Sequence, residues 1–226
     1  MRKVMKDNFT VAITGEDVLA CMPYMSNVVD NNVISDVVNA ANKVLDYIAV
    51  SVVSDAIEFD EEGLCIEGVY IGCGHRIVSM LKGSRKMAVV VCSLGQPIID
   101  LCGKFKSEGD LLKAYLCDAI ANIAIGKLED AVKEKLYLEE AAPYTWKSST
   151  DFSPGDCAWN LEEQGKLLSL LPESSCPVQL TASYLMKPLK SISFMMGFGP
   201  DLRCVRNKCL CCNLKQCSYK GQIKWK

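Results

Sequence analysis

Residues 148–172 read SSTDFSPGDCAWNLEEQGKLLSLLP, with Ser153-Pro154-Gly155 at the centre of the stretch. Proline holds φ near its turn value and glycine admits positive φ, so this triplet bends the chain and brings bare backbone to a surface. Two carboxylates bracket it: Asp151 stands three residues before Pro154, and Asp156 comes directly after Gly155. Turn chemistry by itself accounts for the triplet, with Asp156 capping the next helix; a ligand cradle accounts for it equally. Trp146 and Trp159 flank the loop and suit either a pocket wall or an ordinary core. Downstream, Asn160 is a good helix cap and Pro172 a stop, so the spacing predicts a helix between them.

Working outward, the chain alternates between helical and strand patterns. In NNVISDVVNAANKVLDYIAV, residues Val33, Val37, Ala41, Val44, Leu45 and Ile48 recur at helical spacing. From about Val50 to Ile71 β-branched and aromatic residues dominate, and DEEG supplies a turn between two strands. IVSMLKG predicts a short helix, KMAVVVCSLG a buried strand, and EGDLLKAYLCDAIANIAIGKLEDAVKEKL a long helix. CPVQLTASYLMKPLKSISFMMGFGP has a strand-like piece at each end, with Pro188 between them. No repeat or long linker divides the chain.

With 226 residues, half of them hydrophobic, there is material for a sizeable core. A formal net charge of −2 sets up no overall field toward nucleic acid or a membrane surface, and no apolar run reaches the length of a span. Together with the absence of a secretion-type leader, this predicts a cytoplasmic protein. The thirteen cysteines suit a reducing compartment, being odd in number and mostly scattered. Cys21, Cys65, Cys73, Cys92, Cys102 and Cys117 lie in apolar stretches and read as small core residues.

Several segments in order resemble the reactivation domain of vitamin B12-dependent methionine synthase, including its short stand-alone, cysteine-tailed relatives. The likeness rests on GEDVLACMPY, CSLGQPIIDL, GDLLKAYLCDAIANIAI, SPGDCAWNLEEQGKLLSLLP and LTASYLMKPLKSISFMMGFGP, and so covers nearly the whole chain. It implies an α+β fold, a twisted, mostly antiparallel sheet flanked by helices, over residues 1–200, with a cysteine-rich tail at 201–226. It also implies that the central loop binds S-adenosylmethionine beside a corrinoid presented by a partner. In that chemistry methyl transfer from S-adenosylmethionine draws forward an unfavourable reduction of Co(II), and the protein positions the reactants.

The loop residues implied to contact cofactor are Asp151, Ser153, Pro154, Gly155, Asp156 and Ala182, but three depart from the family pattern. Asp151 stands where the family has an arginine, Asp156 where it has a tyrosine, and Ala182 where it has a glutamate. An arginine there grips the ligand's carboxylate; an aspartate at the same point repels it, a change worth about 2–5 kcal/mol. The expectation is weak or absent S-adenosylmethionine binding in the family's manner.

The tail RCVRNKCLCCNLKQCSYK gathers five cysteines. Cys204, Cys209, Cys212 and Cys217 are spaced to turn several thiolates toward one metal, an iron–sulfur cluster or zinc, and Cys211, beside Cys212, diverges from them. From Leu202 onward there is no acidic residue, while Arg203, Arg206, Lys208, Lys215, Lys220, Lys224 and Lys226 are basic. This segment either meets an acidic partner or is simply solvated. The single histidine, His75, sits in GCGHR, which lacks both a dinucleotide and a phosphate-loop signature, so a turn is expected there. The combined expectation is an accessory protein of corrinoid-dependent methyl transfer. It docks on a cobalamin-binding methyltransferase or corrinoid protein, and an electron donor assists reactivation. The alternatives are a non-catalytic corrinoid or corrinoid-protein binding module with a zinc-folded tail, and an active S-adenosylmethionine-dependent reactivase.

Overall fold

The computed structural model describes residues 2–202. In chain order its elements begin with β1 (Lys3–Asn8), α1 (Gly15–Cys21), α2 (Asn31–Asn42), β2 (Ile48–Ser54), β3 (Ile57–Phe59), β4 (Leu64–Ile66), β5 (Val69–Ile71) and α3 (His75–Leu81). Next come β6 (Lys86–Ser93), α4 (Pro97–Ser107), α5 (Leu111–Glu140), β7 (Lys147–Ser148), α6 (Gln164–Ser169), β8 (Gln179–Leu180), β9 (Met186–Lys187) and β10 (Ser191–Gly199).

Strands β1, β2, β6, β10 and β7 form one five-stranded sheet in that spatial order, every neighbouring pair antiparallel. Strands β6 and β10 are apolar on both faces, because both faces are covered. Ala88, Val90, Cys92, Phe194 and Met196 point to a core shared with α1, α2, α4 and α5. Met87, Val89, Val91 and Met195 point the other way, to α3, α6 and the small β3–β4–β5 sheet. Double coverage is why KMAVVVCS reads as a continuous apolar run rather than as an alternation.

Most predicted elements are present, with informative differences. The helix expected to run on through Ile48 stops at Asn42. There the Asn42 side chain exchanges hydrogen bonds with Ile13 N–H (3.1 Å) and Ile13 C=O (2.7 Å), and Val44 and Leu45 lie in the turn that delivers Ile48 to β2. The expected hairpin between Val50 and Ile71 is instead β2 in the main sheet plus a three-stranded meander. DEEG makes its first turn, Asp60 Oδ1 accepting from Glu62 N–H (2.8 Å) and Gly63 N–H (2.6 Å). The helix after Asn160 is split: Asn160 caps a 3₁₀ turn over Leu161–Glu163 that leads into the short α6. Strand β1 was not legible in KVMKDN, an edge strand that buries only one side.

Three of the six cysteines read as core residues, Cys73, Cys92 and Cys117, are buried. Cys65 and Cys102 are only half-buried, and Cys21, the last residue of α1, is exposed. GCGHR forms the expected turn, with Gly74 at φ +84° ahead of α3. No helix among the described residues is long and apolar enough to cross a membrane.

Candidate functional site

The segment leading into the Ser-Pro-Gly loop is stitched to β10. Ser149 N–H donates to Gly197 C=O (2.8 Å), Gly197 N–H donates to Ser149 Oγ (2.8 Å), and Phe152 and Met195 exchange backbone hydrogen bonds of 2.9 and 2.8 Å. The chain then lifts off the sheet. Asp156 Oδ2 accepts from Ser153 N–H (3.0 Å) and Asp156 N–H donates to Ser153 C=O (2.9 Å), so Asp156 closes its own turn rather than capping a later helix. Gly155 has φ +102°, and beyond it Cys157 and Ala158 also take positive φ, +50° and +70°. Non-glycine residues adopt that region at a cost of about 1–2 kcal/mol each, and such strain concentrates at functional loops. Buried Trp159 anchors the strained run, although its indole N–H has no hydrogen-bond partner among the described residues.

The loop walls one side of a hollow of about 180 Å³. The hollow is lined by Ser153 and Pro154 together with Tyr184 and Leu185 of the β8–β9 connection and Met186 of β9. Leu161 and Gln164 line it as well, and Ser191, Ile192 and Ser193 of β10 complete the lining. Its polar wall is held in place: Gln164 Nε2 donates to Ser193 Oγ (3.0 Å), and Ser191 Oγ reaches both Ser93 Oγ (2.9 Å) and Pro188 C=O (2.8 Å). Gln164 and Ser193 are each 3% exposed. Among the described residues, no carboxylate, ammonium or guanidinium lines the space. The hollow is also smaller than the roughly 300–1,000 Å³ typical of pockets that enclose a drug-sized ligand.

Asp151 is placed elsewhere. Side chains alternate along the edge segment, so while Phe152 enters the core on the α6 side, Asp151 turns toward α5. It is 4% exposed, and Lys133 of α5 donates to its Oδ1 (3.3 Å). Lys133 also contacts Glu129 Oε1 (2.9 Å) and Asp130 Oδ1 (3.2 Å). Burial by itself lowers the ammonium's pKa, but Asp151, Glu129 and Asp130 outweigh it and hold Lys133 above the ordinary lysine value. Asp151 therefore puts no charge into the hollow.

Of the six residues singled out by sequence, only Ser153 and Pro154 line the hollow. Gly155 and Asp156 shape the turn behind them. Ala182 lies in the tight connection closed by Thr181 and Leu185, beside the lining residues Tyr184 and Leu185. Gln164, Ser191 and Ser193 were missed, though a signal existed: Gln164 shares the inward face of Leu167 and Leu171, and Ser193 occupies the face of Met195. Cys204, Cys209, Cys212 and Cys217 lie outside the described residues, and no three-ligand cluster of His, Cys, Asp or Glu fit for a metal occurs among the described ones.

The class of molecule is thus an α+β domain with a doubly covered antiparallel sheet and a Ser-Pro-Gly loop at its edge. No family model and no curated protein matches the sequence. Among solved structures, the chain is similar to the MetH reactivation domain, crystallised bound to AdoHcy. The TM-score is 0.62 over 90% of this chain and 80% of that one, with 12% identity. The fold expected from the sequence is the fold observed.

Proposed function

We propose that this chain is an accessory protein of corrinoid-dependent methyl transfer that docks on a cobalamin protein and assists its reductive reactivation, with binding of S-adenosylmethionine impaired. The observation that carries the reading is the reactivation-domain fold with its Ser-Pro-Gly loop kept at the rim of a hollow. The impairment rests on that hollow: among the described residues it offers serine, glutamine and apolar walls around about 180 Å³ and no cation for a ligand carboxylate. Leu161, Tyr184 and Leu185, which line the hollow and are exposed, supply an apolar surface suited to a docked partner. The cysteine tail would hold an iron–sulfur cluster or zinc, and iron in the purified protein would favour electron delivery over a zinc-folded adaptor.

The test is calorimetric titration of S-adenosylmethionine and AdoHcy into anaerobically purified protein, then titration with a cobalamin-loaded corrinoid domain monitored through the corrinoid absorbance. The expected result is no micromolar nucleoside binding and a spectral change on docking. Micromolar S-adenosylmethionine binding would instead make the chain an active reactivase, and no response to the corrinoid domain would remove the accessory role.

A further inference from the structure

Helices α4 and α5 form an antiparallel hairpin joined only by Glu108, Gly109 and Asp110. Cys102 precedes the Glu108 cap by six residues and Cys117 lies seven beyond the Asp110 cap. Positions nearly equidistant from such a turn face each other, and Cys102 packs against the core in which Cys117 is buried. Cys117 is fully buried, with its Sγ 4.0 Å from Ile98 C=O, while Cys102 is half-buried. A small solute can thus approach Cys102 but not Cys117.

We propose that Cys102 and Cys117 are a redox-active dithiol, with Cys102 the thiol attacked first and Cys117 the resolving thiol, that is oxidised by hydroperoxides to a disulfide pinning α4 to α5. The Cys102 thiolate attacks the peroxide O–O bond, forming an S–O bond and releasing the other oxygen as water or alcohol. The Cys117 sulfur then attacks the Cys102 sulfur, forming S–S, and the displaced hydroxide takes the Cys117 proton to leave water. Two thiols are oxidised and one peroxide is reduced, so no further reactant is required.

The electrostatics suit these roles. The contact with Cys117 holds the Cys102 thiol below its ordinary value against the opposing effect of burial, whereas Cys117 is held up by Cys102 and by burial. A depressed, reachable thiol beside a protected neighbour is the arrangement in which oxidation passes to a disulfide instead of climbing to sulfinic acid. The pair also abuts Asp118, which holds Lys190 (2.7 Å) immediately ahead of β10, so the bridge would form one residue from the tie between α5 and the wall of the hollow.

The dithiol stands apart from the proposed function, and its test uses the whole protein. Reduced protein is exposed to hydrogen peroxide, free thiols are alkylated, and trypsin then releases residues 87–104 and 114–127 as separate peptides. The expected product is a cross-linked pair whose fragmentation places the bond on Cys102 rather than Cys92. Before peroxide treatment, Cys102 should alkylate at least about tenfold faster than Cys117, given the difference in access. Cys102→Ser should abolish the cross-link and leave Cys117 as a thiol that reacts only on unfolding. Recovery of both cysteines in alkylated form after peroxide, over-oxidation of Cys102 alone, or its bridging to another cysteine overturns the proposal.

Discussion

Introducing arginine at position 151, where the family pattern has one, looks like the direct way to restore a ligand clamp, yet the structure predicts that Asp151→Arg will damage the fold. The carboxylate side chain is 5% exposed and its oxygen lies 3.3 Å from Lys133 Nζ. At that separation and an effective dielectric near 20 the lost attraction is about 5 kcal/mol, and a guanidinium adds repulsion of the same sign. Glu129 and Asp130 still hold Lys133, and Asp151 has a further interaction of its own, so the net cost is set at about 3–4 kcal/mol, within the range for breaking a buried pair. For a domain of this size that is a fall in Tm of roughly 6–16 °C. Thermal and urea unfolding under reducing conditions measure it. Asp151→Arg combined with Lys133→Met should regain at least half of the loss, because the guanidinium is then free to meet Glu129. If Asp151→Arg is as stable as the parent to within about 0.5 kcal/mol, the margin for an ordinary surface change, or if removing Lys133 makes it worse, the assignment of Asp151 to a buried ion pair is wrong.

The same geometry fixes three other outcomes. Gly155→Ala, at φ +102°, should lose about 1–2 kcal/mol, whereas Ala158→Gly, at φ +70°, should gain up to about 1 kcal/mol; opposite signs in denaturant melts are the check. Burial pushes the Glu140 carboxyl up, but Lys86 (2.8 Å) and Lys3 (3.1 Å) more than compensate and hold it below its ordinary value of 4.5. Its contribution to stability is therefore present above about pH 4.5 and lost as pH falls through the depressed folded value, and Glu140→Gln should flatten that part of the acid-unfolding curve. Gln164→Leu should remove the hydrogen bond to Ser193 and cost about 1–2 kcal/mol, read as a shift of the urea midpoint with unchanged slope.

Much of the architecture was legible because it rests on local chemistry. The apolar run of β6, the apolar periodicity of α5, and the Asp60 turn between β3 and β4 each depend on residues within one or two turns of chain. The errors fell where a long-range partner intervened. Asn42, bound to Ile13, ended a helix that its apolar spacing would have continued, and β1 is a strand only because β2 lies beside it. Cys21 was misplaced because apolar neighbours in sequence do not specify how much of a helix end the core covers.

The candidate site divides in the same way. The sequence by itself determined that a Ser-Pro-Gly turn bends the chain before a capped helical segment, since proline, glycine and asparagine act through their own backbone geometry. Only the tertiary structure decided what the turn faces. Pairing of residues 149 and 152 with β10 sends Phe152 to one side of the sheet and Asp151 to Lys133 on the other, while Gln164, Ser191 and Ser193 are gathered from two distant segments into one wall. Side-chain direction at a sheet edge is a matter of register, and register is set by a strand more than forty residues away, beyond the reach of any local pattern.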